Sequence, residues 1–482
     1  MIRRSTLSFA VAALLALTGC AHFTPPGAKP PATVTRPASS KSLEQLQRDF
    51  VDLRFGMFIH FGILTYKGRW GQGNLDITEF NPTKLDPAQW ADAAAAAKMK
   101  YGVLTTRHHD GFALWPSKAS AYNVGHIPWR DGRGDVVAEY VKAFRGRGLL
   151  PGLYYSIWDI TQGVAAGQIT PGKLAYIKTQ LTELLSNYGP IPVLVMDGWS
   201  WQMGHNAVAY QEIRDLVKSL QPDCLLTDHT HLADPFDADV VSFEEPKGAW
   251  SPDGNTYPGA QGQKVNASGG NDWFWAPDVG GLMTVQDIVK RHLGDLEPKW
   301  TNFVLNCPPN RDGLLGPAIV KLLRDVGEAY TPNSSRPPLP EQGPQNDFPY
   351  TPVSATATSG NPDDAIDGKN DAGFYSMWQP REALPQSITL DLGQVQPDVG
   401  WLGSLPSYHN ENSSQEGNVT SYRVLTSADG GKFSEAAAGT WPADGRMKVA
   451  TFGPTPARYV RFEIRAASGT PAVTEIALGG RR

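Results

Sequence analysis

The stretch 193–198, VLVMDG, is a short apolar run that ends in a carboxylate and a glycine. Six further apolar runs precede residue 310, at 56–60, 101–105, 149–155, 224–227, 240–243 and 302–305. Helical patterns separate them, including 87–98, 136–147 and 171–188. Short strands that are apolar on both faces and alternate with helices indicate a parallel sheet covered by helices. We therefore predict an α/β fold, a (β/α)8-like TIM barrel, over residues 43–330.

Polar side chains follow the ends of five of these runs. They are His60, His108-His109-Asp110, Trp158-Asp159, Asp197 and Glu244. In a TIM barrel the loops that follow the strands build the active site at one face. The sequence therefore predicts a single functional site at the carboxyl ends of the strands.

The pattern changes after residue 330. Residues 331–346 are rich in proline and predict a linker. From 347 to 482 apolar and polar residues alternate in short segments such as 387–392, 422–425 and 458–464, with turn signals between them. This pattern favours an antiparallel β-sandwich as a second domain.

The first 42 residues have the features of an export signal. Arg3 and Arg4 precede an apolar run, 7–17, that is too short to span a bilayer. The sequence LTGC at 17–20 resembles the lipobox of bacterial lipoproteins, so we expect a signal peptide over 1–20 and a lipid on Cys20. An ordinary signal peptide before an incidental cysteine is the alternative. Residues 21–42 predict a flexible tether, and Ala21 favours anchoring to the outer membrane, in the periplasm or at the cell surface.

Composition narrows the class of protein. The chain has 482 residues and a net charge of −5, and its Lys and Arg residues are scattered, so we expect no nucleic-acid partner and membrane contact only through the lipid. The 14 Trp and 49 Gly favour loop-rich architecture with aromatic platforms, on which sugar rings pack. Cys224 and Cys307 are flanked by apolar residues and are expected to be buried free thiols.

Two positions offer carboxylates at strand ends. Cleavage of a glycosidic bond with retention requires two carboxyl groups about 5 Å apart. Asp197 suits the nucleophile, and the alternative is an aspartate that caps the next helix. Glu244 and Glu245 follow the run 240–243; neighbouring side chains on a strand point oppositely, so we expect only one to face the substrate.

Histidines and tryptophans surround these carboxylates in the predicted site. His60, His108, His109, His229 and His231 could be recruited to a metal ion, but the usual zinc spacing is absent. We favour histidines that hydrogen-bond sugar hydroxyls, and we predict no metal. The aromatic residues expected around them are Trp70, Trp158, Trp199 and Trp273.

Several motifs together resemble the α-L-fucosidases of glycoside hydrolase family 29. They are RFGMFIHFG at 54–62, RHHDGF at 107–112, LWPS at 114–117, GDVV at 134–137, YYS at 154–156, MDG at 196–198 and NFVLNCPP at 302–309. The resemblance covers nearly all of residues 43–330. It implies a (β/α) barrel and a retaining double displacement that uses no cofactor.

The resemblance also implies roles for individual residues. Asp197 stands at the position of the nucleophile, and Glu244 matches the acid/base better than Glu245. In the sugar pocket that the resemblance implies, His60, His108 and His109 bind the fucose hydroxyls. Tyr155 contacts the sugar near the nucleophile and Trp70 forms an aromatic wall. Trp273 supplies the surface for the fucose methyl group.

Two features bear on specificity. Arg69 stands where relatives commonly carry Glu. The segments WPS at 115–117 and PW at 128–129 resemble a branch that acts on α-1,3 and α-1,4 fucosyl linkages. The implied function is an exo-acting enzyme that releases terminal L-fucose from fucosylated oligosaccharides or glycoproteins. A surface glycan-binding protein without turnover and a hydrolase of a fucose-like sugar such as galactose are the alternatives.

The C-terminal segments resemble a discoidin-like (F5/8 type C) domain. They are AIDG at 365–368, LDLG at 390–393, SADG at 427–430 and RYVRF at 458–462. The resemblance implies a structural calcium at the loop around Asp367. It leaves open whether the domain binds glycan or only supports the barrel.

Overall fold

We describe the protein from a computed structural model. The described residues are 41–67, 71–229, 238–247, 250–266, 273–277, 281–342, 350–369, 376–407, 417–444 and 446–480. The predicted signal peptide with Cys20, nearly all of the predicted tether, Arg69, Trp70 and His231 lie outside them. Within these ranges no helix combines the length and the apolar character needed to cross a membrane.

Eight parallel strands form the first sheet. They are β1 Phe55–Ile59, β2 Tyr101–Arg107, β3 Leu150–Ser156, β4 Val193–Asp197, β5 Leu225–Asp228, β6 Val241–Glu244, β7 Gly259–Lys264 and β8 Thr301–Asn306. Each strand pairs with the next in sequence, apart from β5 and β6, and β1 also pairs with β8. The TIM-barrel prediction is confirmed, with one strand, β7, that the apolar pattern did not reveal.

Strands β5 and β6 meet at the seam of the barrel. The backbone N–H of Asp239 donates to the carbonyl of Leu226 over 2.8 Å. The hydroxyl of Thr227 donates to the carbonyl of Val240 over 2.6 Å. These bonds close the ring where no regular ladder forms between the two strands.

Helices cover most of the outside of the barrel. They are α1 Leu43–Val51, α2 Leu64–Lys67, α3 Pro87–Ala96, α4 Val136–Gly146, α5 Pro171–Asn187, α6 Tyr210–Leu220, α7 Gly294–Leu296 and α8 Pro317–Ala329. Side-chain oxygens of Asp86, Asp135 and Thr170 cap α3, α4 and α5, as the sequence of each helix start favours. A π-helical segment, Asp287–Leu293, precedes α7.

The second domain is an antiparallel sheet. Its strands are β9 Ser354–Ala357, β10 Gln386–Pro406, β11 Val419–Ser427, β12 Ser434–Thr440, β13 Lys448–Ala467 and β14 Val473–Gly480. The long strands β10 and β13 pair with register shifts between Asp391 and Trp401, which bend the sheet. Both halves of β10, represented by Ile388 and Leu402, therefore contribute to one apolar core.

The second domain contacts the barrel beside β6. Among the described residues between β5 and β7, the only helical segment is the 3-10 turn Glu245–Lys247. On the outer face of β6, Val241 and Phe243 pack against Tyr257. Tyr257 also packs against a cluster of the second domain that contains Trp401 and Met447. Tyr257 thus lies between the outer face of β6 and the second domain.

The predicted calcium loop lies against the barrel. Oδ1 of Asp367 accepts a hydrogen bond from the backbone N–H of Lys369, and burial raises the pKa of Asp367. The carbonyl oxygens of Ile366 and Gly368 accept hydrogen bonds from the barrel. Residues 370–375 lie outside the described ranges. Calcium at this loop stays a prediction.

Both cysteines of the described ranges are free and buried, as predicted. Burial raises the pKa of Cys224 to about 12 and that of Cys307 further still. A thiol that stays protonated at neutral pH is a poor nucleophile and a poor metal ligand. The two residues therefore serve as core packing.

Candidate active site

Asp197 is the last residue of β4, and three donors hold its carboxylate. The hydroxyl of Tyr154 donates to Oδ2 over 2.5 Å, and the indole N–H of Trp201 donates to Oδ1 over 2.7 Å. The backbone N–H of Gly198 also donates to Oδ1, over 2.5 Å. All three donors favour the ionised form and fix the direction of the carboxylate.

The charge on Asp197 follows from its surroundings. Burial alone would raise the pKa of this carboxyl, but the nearby His109 and His229 and the hydrogen bonds from Tyr154 and Trp201 outweigh burial and hold the pKa below its ordinary value. Asp197 is therefore a buried anion at neutral pH. The alternative of a helix cap fails, because the next helix, α6, begins only at Tyr210 with Ala209 before it.

Glu244 ends β6 and points into the barrel mouth. Its Oε1 accepts a hydrogen bond from the indole N–H of Trp273 over 3.0 Å, and its Oε2 lies 3.3 Å from Nε2 of His229. His229 is fixed on its other side by the hydroxyl of Ser242, 2.7 Å from Nδ1. Ser242 and Glu244 are two residues apart on one strand, so they face the same side of it.

Glu245 points away from the barrel mouth. Its carboxylate lies 2.9 Å from Nε2 of His292 and accepts a hydrogen bond from the side-chain amide of Gln261 over 3.0 Å. The prediction that only one of the two glutamates faces the site is in accord with this geometry. The partner of Glu245 is a histidine of the π-helical segment, which packs against this side of the sheet.

Three buried histidines line the site near Asp197. Nδ1 of His60 lies 2.9 Å from Oδ1 of Asn306, and Nδ1 of His109 lies 2.7 Å from the hydroxyl of Ser156. The ring of His108 stacks on that of Tyr154 with 5.5 Å between centroids. Each imidazole is thus oriented by a neighbour from another strand end.

Burial keeps these imidazoles neutral. It lowers the pKa of His60 to about 3 and that of His108 well below its ordinary value, and it lowers the pKa of His109 as well. A neutral imidazole has one N–H donor and one acceptor nitrogen. Such groups suit hydroxyl ligands, which also donate and accept.

The same residues include one potential metal cluster. Ligand atoms of His108, His109 and Asp197 lie within 4.8 Å of one another, the one such group of three found in the described ranges. Both oxygens of Asp197 already accept hydrogen bonds, and His109 is also tied to Ser156. Asp197 is therefore held as an anion by N–H and O–H groups. That the histidines bind sugar hydroxyls and no metal stays a prediction.

Aromatic rings form the walls. Trp273 stacks on His60 at 5.0 Å between centroids, and Trp158 lies 4.8 Å from the ring of His109. Trp201 meets Trp158 edge to face at 6.1 Å. Trp158 and Trp273 thus lie where the sequence predicted, and Trp70 falls outside the described residues.

The prediction for Tyr155 was wrong. Its hydroxyl donates to Gln180 of α5, and the guanidinium of Arg107 lies 4.1 Å from its ring centre, so it packs between sheet and helices. Parallel register explains the difference: Ser156 pairs with Asp197, so Ser156 and Tyr154, two residues apart, face the inside with the carboxylate. Tyr154 takes the place that was predicted for Tyr155.

The prediction for Trp199 was also wrong. Trp199 is fully buried, its indole N–H donates to the carbonyl of Val208, and its ring stacks on Tyr210. The site tryptophan on this loop is Trp201. The chain leaves the strand at Gly198 with a φ of +64°, so strand alternation no longer tells which tryptophan faces Asp197.

Besides Tyr154, sequence reasoning missed four residues that complete the site: Ser156, Trp201, His229 and Asn306. Ser156 and Asn306 are the last residues of β3 and β8, so their positions at strand ends were a usable signal. His229 directly follows β5 and was considered only as a metal ligand.

Comparisons with known proteins agree with this geometry. The profile of the family described as alpha-L-fucosidase matches residues 66–334, and that of the F5/8 type C domain matches residues 350–477. Alpha-L-fucosidase 1 of Arabidopsis thaliana is 31% identical over 313 residues, which cover 60% of this chain and 59% of that protein. Tissue alpha-L-fucosidase of Homo sapiens is 29% identical over 233 residues, 42% of this chain and 43% of the relative.

Solved structures share the fold. Alpha-L-fucosidase isoenzyme 1 from Paenibacillus thiaminolyticus superposes with a TM-score of 0.52 at 25% identity, over 88% of this chain and 99% of that one. A glycoside hydrolase 29 family member from a rumen bacterium gives a TM-score of 0.50 at 19% identity, over 91% and 99%. The chain therefore belongs to the α-L-fucosidase family of glycoside hydrolases, GH29, and carries a C-terminal F5/8 type C domain.

Proposed function

We propose that this protein is a retaining, exo-acting α-L-fucosidase that releases terminal L-fucose from oligosaccharides or glycoconjugates. One observation carries the proposal. Asp197 is a buried, ionised carboxylate that is fixed by Tyr154, Trp201 and Gly198 at a strand end. A second buried carboxylate, Glu244, lies 3.3 Å from His229, and the charges of both carboxylates raise the pKa of this histidine. Nucleophile and acid/base in one closed pocket are what a double displacement requires.

In the first step an oxygen of Asp197 bonds to the anomeric carbon. The bond from that carbon to the leaving oxygen breaks, and a proton held by the pair of Glu244 and His229 passes to the leaving oxygen through Glu244. In the second step Glu244 takes a proton from water, the water oxygen bonds to the anomeric carbon, and Asp197 is released. Retained stereochemistry at the anomeric carbon follows from two inversions.

The pocket supplies the contacts that a deoxy sugar requires. The neutral imidazoles of His60, His108 and His109 match secondary hydroxyls, and the indole of Trp273, which stacks on His60, adds an aromatic ring to the wall. A galactose-like sugar adds a hydroxyl at the carbon that is a methyl group in fucose. Such a hydroxyl would lose its water partners against an aromatic wall without replacement, which costs binding energy. The geometry therefore favours fucose over galactose.

The proposal also specifies the glycosidic linkages that are cleaved. The segments 115–117 and 128–129 resemble a branch that acts on α-1,3 and α-1,4 linkages. We measure free fucose released from α-1,2-, α-1,3-, α-1,4- and α-1,6-linked oligosaccharides and from an aryl fucoside, and we expect release from the α-1,3 and α-1,4 substrates. Release from the other linkages alone would contradict the linkage and leave the chemistry intact.

The stereochemistry tests the mechanism. Proton NMR of the first fucose released should show the α anomer before mutarotation, and the β anomer would exclude retention. Asp197→Ala should lower turnover by several orders of magnitude, since a member of a coupled pair is lost. Fucose binding without release of fucose from any substrate by the unaltered protein would instead favour a glycan-binding protein.

We also propose that the protein is a lipoprotein of the outer membrane, anchored through Cys20. The LTGC sequence at 17–20 and the tether-like composition of 21–42 support this. Cys20→Ala should move the protein from the detergent-soluble membrane fraction to the soluble periplasmic fraction. An unchanged distribution between the two fractions would contradict lipidation.

A further inference from the structure

The loop that joins β4 to α6, residues 198–209, places a catalytic contact. It carries Trp201, which donates to Asp197 over 2.7 Å. The loop is closed on itself, since the backbone N–H of Gly204 donates to the carbonyl of Trp199 over 2.9 Å. Trp201 lies within the turn that this hydrogen bond closes.

A turn of the C-terminal domain, residues 366–368, holds the far side of this loop. The backbone N–H of His205 donates to the carbonyl of Gly368 over 2.9 Å. The side-chain amide of Asn206 donates to the carbonyl of Ile366 over 3.1 Å. Two hydrogen bonds thus join the 198–209 loop to a domain that supplies neither Asp197 nor Glu244.

The contact is close enough to require glycine on both sides. Gly368 has a φ of +73°, and a Cβ there would lie 2.9 Å from the backbone nitrogen of Asn206 and 3.1 Å from that of His205. Gly204 has a φ of +79°, and a Cβ there would lie 3.2 Å from the carbonyl oxygen of Asp367. Backbone packs directly on backbone, so the turn and the loop fit in one arrangement.

The docked residue reaches into the barrel. Nε2 of His205 lies 2.8 Å from Oδ2 of Asp228, the last residue of β5, and the backbone N–H of Ser200 donates to the same oxygen over 3.1 Å. Asp228 is fully buried and precedes His229, the neighbour of Glu244. Through His205 and Asp228, the contact with the turn therefore connects to the loop that carries Trp201 and to His229, the neighbour of Glu244.

We propose that the 366–368 turn is a positioning element of catalysis: by holding the 198–209 loop it keeps Trp201 on Asp197. The proposal rests on the proposed function, in which Asp197 is the nucleophile. The C-terminal domain then contributes to the reaction without touching substrate. Removing the contact should free the loop, weaken the hydrogen bond of Trp201 and raise the pKa of Asp197.

Gly368→Ala tests the close approach of the 366–368 turn to the 198–209 loop. We expect kcat/KM for fucose release to fall about 10- to 100-fold, the loss that a misplacement of about 1 Å in a catalytic group produces. The acidic limb of the pH profile should move to higher pH, because Asp197 loses a donor that stabilises its anion. A merely structural role would lower thermal stability and leave that limb in place.

The matched control is Gly430→Ala in the same domain. Gly430 also has a positive φ, +77°, and a Cβ there would meet the ring of Tyr459 at 3.1 Å, within the domain. A second control is Arg446→Ala, which removes the interdomain hydrogen bond to the carbonyl of Gly254, a contact with the β6–β7 connection. We expect both controls to keep the acidic limb of the unaltered protein.

Asn206→Ala is a milder variant that removes one hydrogen bond, and it serves if Gly368→Ala does not fold. Amide hydrogen exchange gives a readout that is independent of activity. We expect the amides of residues 200–205 to exchange at least about tenfold faster in both loop variants and unchanged in both controls. Unchanged exchange and an unchanged acidic limb in both loop variants would overturn the proposal. Absence of fucose release by the unaltered protein would overturn only the proposed function, and the exchange result would then decide whether the turn holds the loop.

Discussion

Nε2 of His229 lies 3.3 Å from Oε2 of Glu244, inside a pocket where both side chains are buried. Burial alone would lower the pKa of His229, but the hydrogen bond to Glu244 and the charges of Asp197, Glu244 and Asp228 raise it above its ordinary value. The pair therefore retains a proton above the pH at which a free histidine would lose it. In the proposed mechanism this proton passes to the leaving group.

The first prediction concerns the pH profile. Loss of the shared proton should set the alkaline limb of kcat/KM, above the ordinary histidine pKa of about 6.5. In His229→Gln the proton is held by Glu244 without its partner, so the alkaline limb should move to lower pH. His126→Gln, at an exposed histidine, is the control and should leave the limb unchanged. An alkaline limb that is the same in all three proteins would exclude His229 from the pair.

The raised pKa of His229 also makes the stability of the fold depend on pH. A histidine whose pKa is raised by folding stabilises the native state fully below its unfolded pKa of about 6.5, and this stabilisation is lost as pH rises through the folded pKa. The thermal midpoint of the unaltered protein should therefore fall as pH rises through that window. His229→Gln should show a smaller fall in the thermal midpoint, measured by calorimetry across the same window.

The second prediction separates the two glutamates. Glu244→Gln should lower kcat/KM on a natural fucosyl oligosaccharide by about 10²- to 10⁴-fold, because general acid catalysis is lost. The loss should be smaller on an aryl fucoside, whose leaving group departs with less help from an acid. Glu245→Gln removes the ion pair with His292 and leaves the barrel mouth intact, so its loss should stay below about tenfold. The reverse order would make Glu245 the acid.

The third prediction uses two adjacent tyrosines. Tyr154→Phe removes a hydrogen bond to a buried anion, so kcat/KM should fall about 10- to 100-fold and the acidic limb should move to higher pH. Tyr155→Phe removes the hydrogen bond to Gln180 outside the barrel. It should lower thermal stability and leave the acidic limb in place. Equal effects of both variants on the acidic limb would contradict the assignment of Tyr154.

The fourth prediction concerns metal removal. The ligand atoms of His108, His109 and Asp197 are close enough for a metal ion, but the oxygens of Asp197 already accept hydrogen bonds. Dialysis against a chelator should leave kcat and KM for fucose release unchanged. Loss of activity that Zn²⁺ or Mn²⁺ restores would show that the histidines serve as ligands.

The barrel could be predicted because most of its strands are apolar on both faces, but β7 has the sequence GAQGQK. Close packing explains its glycines. A Cβ at Gly259 would lie 2.8 Å from the hydroxyl of Thr301, and one at Gly262 would lie 3.3 Å from the ring of Trp273. Gln261 is buried because Glu245 accepts its hydrogen bond. Each of these reasons depends on a neighbour that is distant in sequence, so periodicity alone does not show the strand.

Asp197 and Glu244 could be predicted from their positions at strand ends, whereas Ser156 and Asn306 also end strands and were missed. Other site residues were missed because the direction of their side chains depends on strand register or on a turn. Tyr154 and Tyr155 differ by one position, and only pairing with the next strand shows which faces inward. Trp201 lies beyond Gly198 in a loop whose course is set partly by the C-terminal domain, 160 residues further along the chain.

The outer face of β6 packs against Tyr257, which in turn packs against Trp401 and Met447, two residues that are synthesised well after the last barrel strand. A nascent chain that has completed β8 therefore still lacks the residues that pack on Tyr257 from the second domain. The barrel therefore reaches its final surface at this point only when the second domain has been made. Residues 43–330 expressed alone would leave the side of Tyr257 that faces Trp401 and Met447 open to solvent.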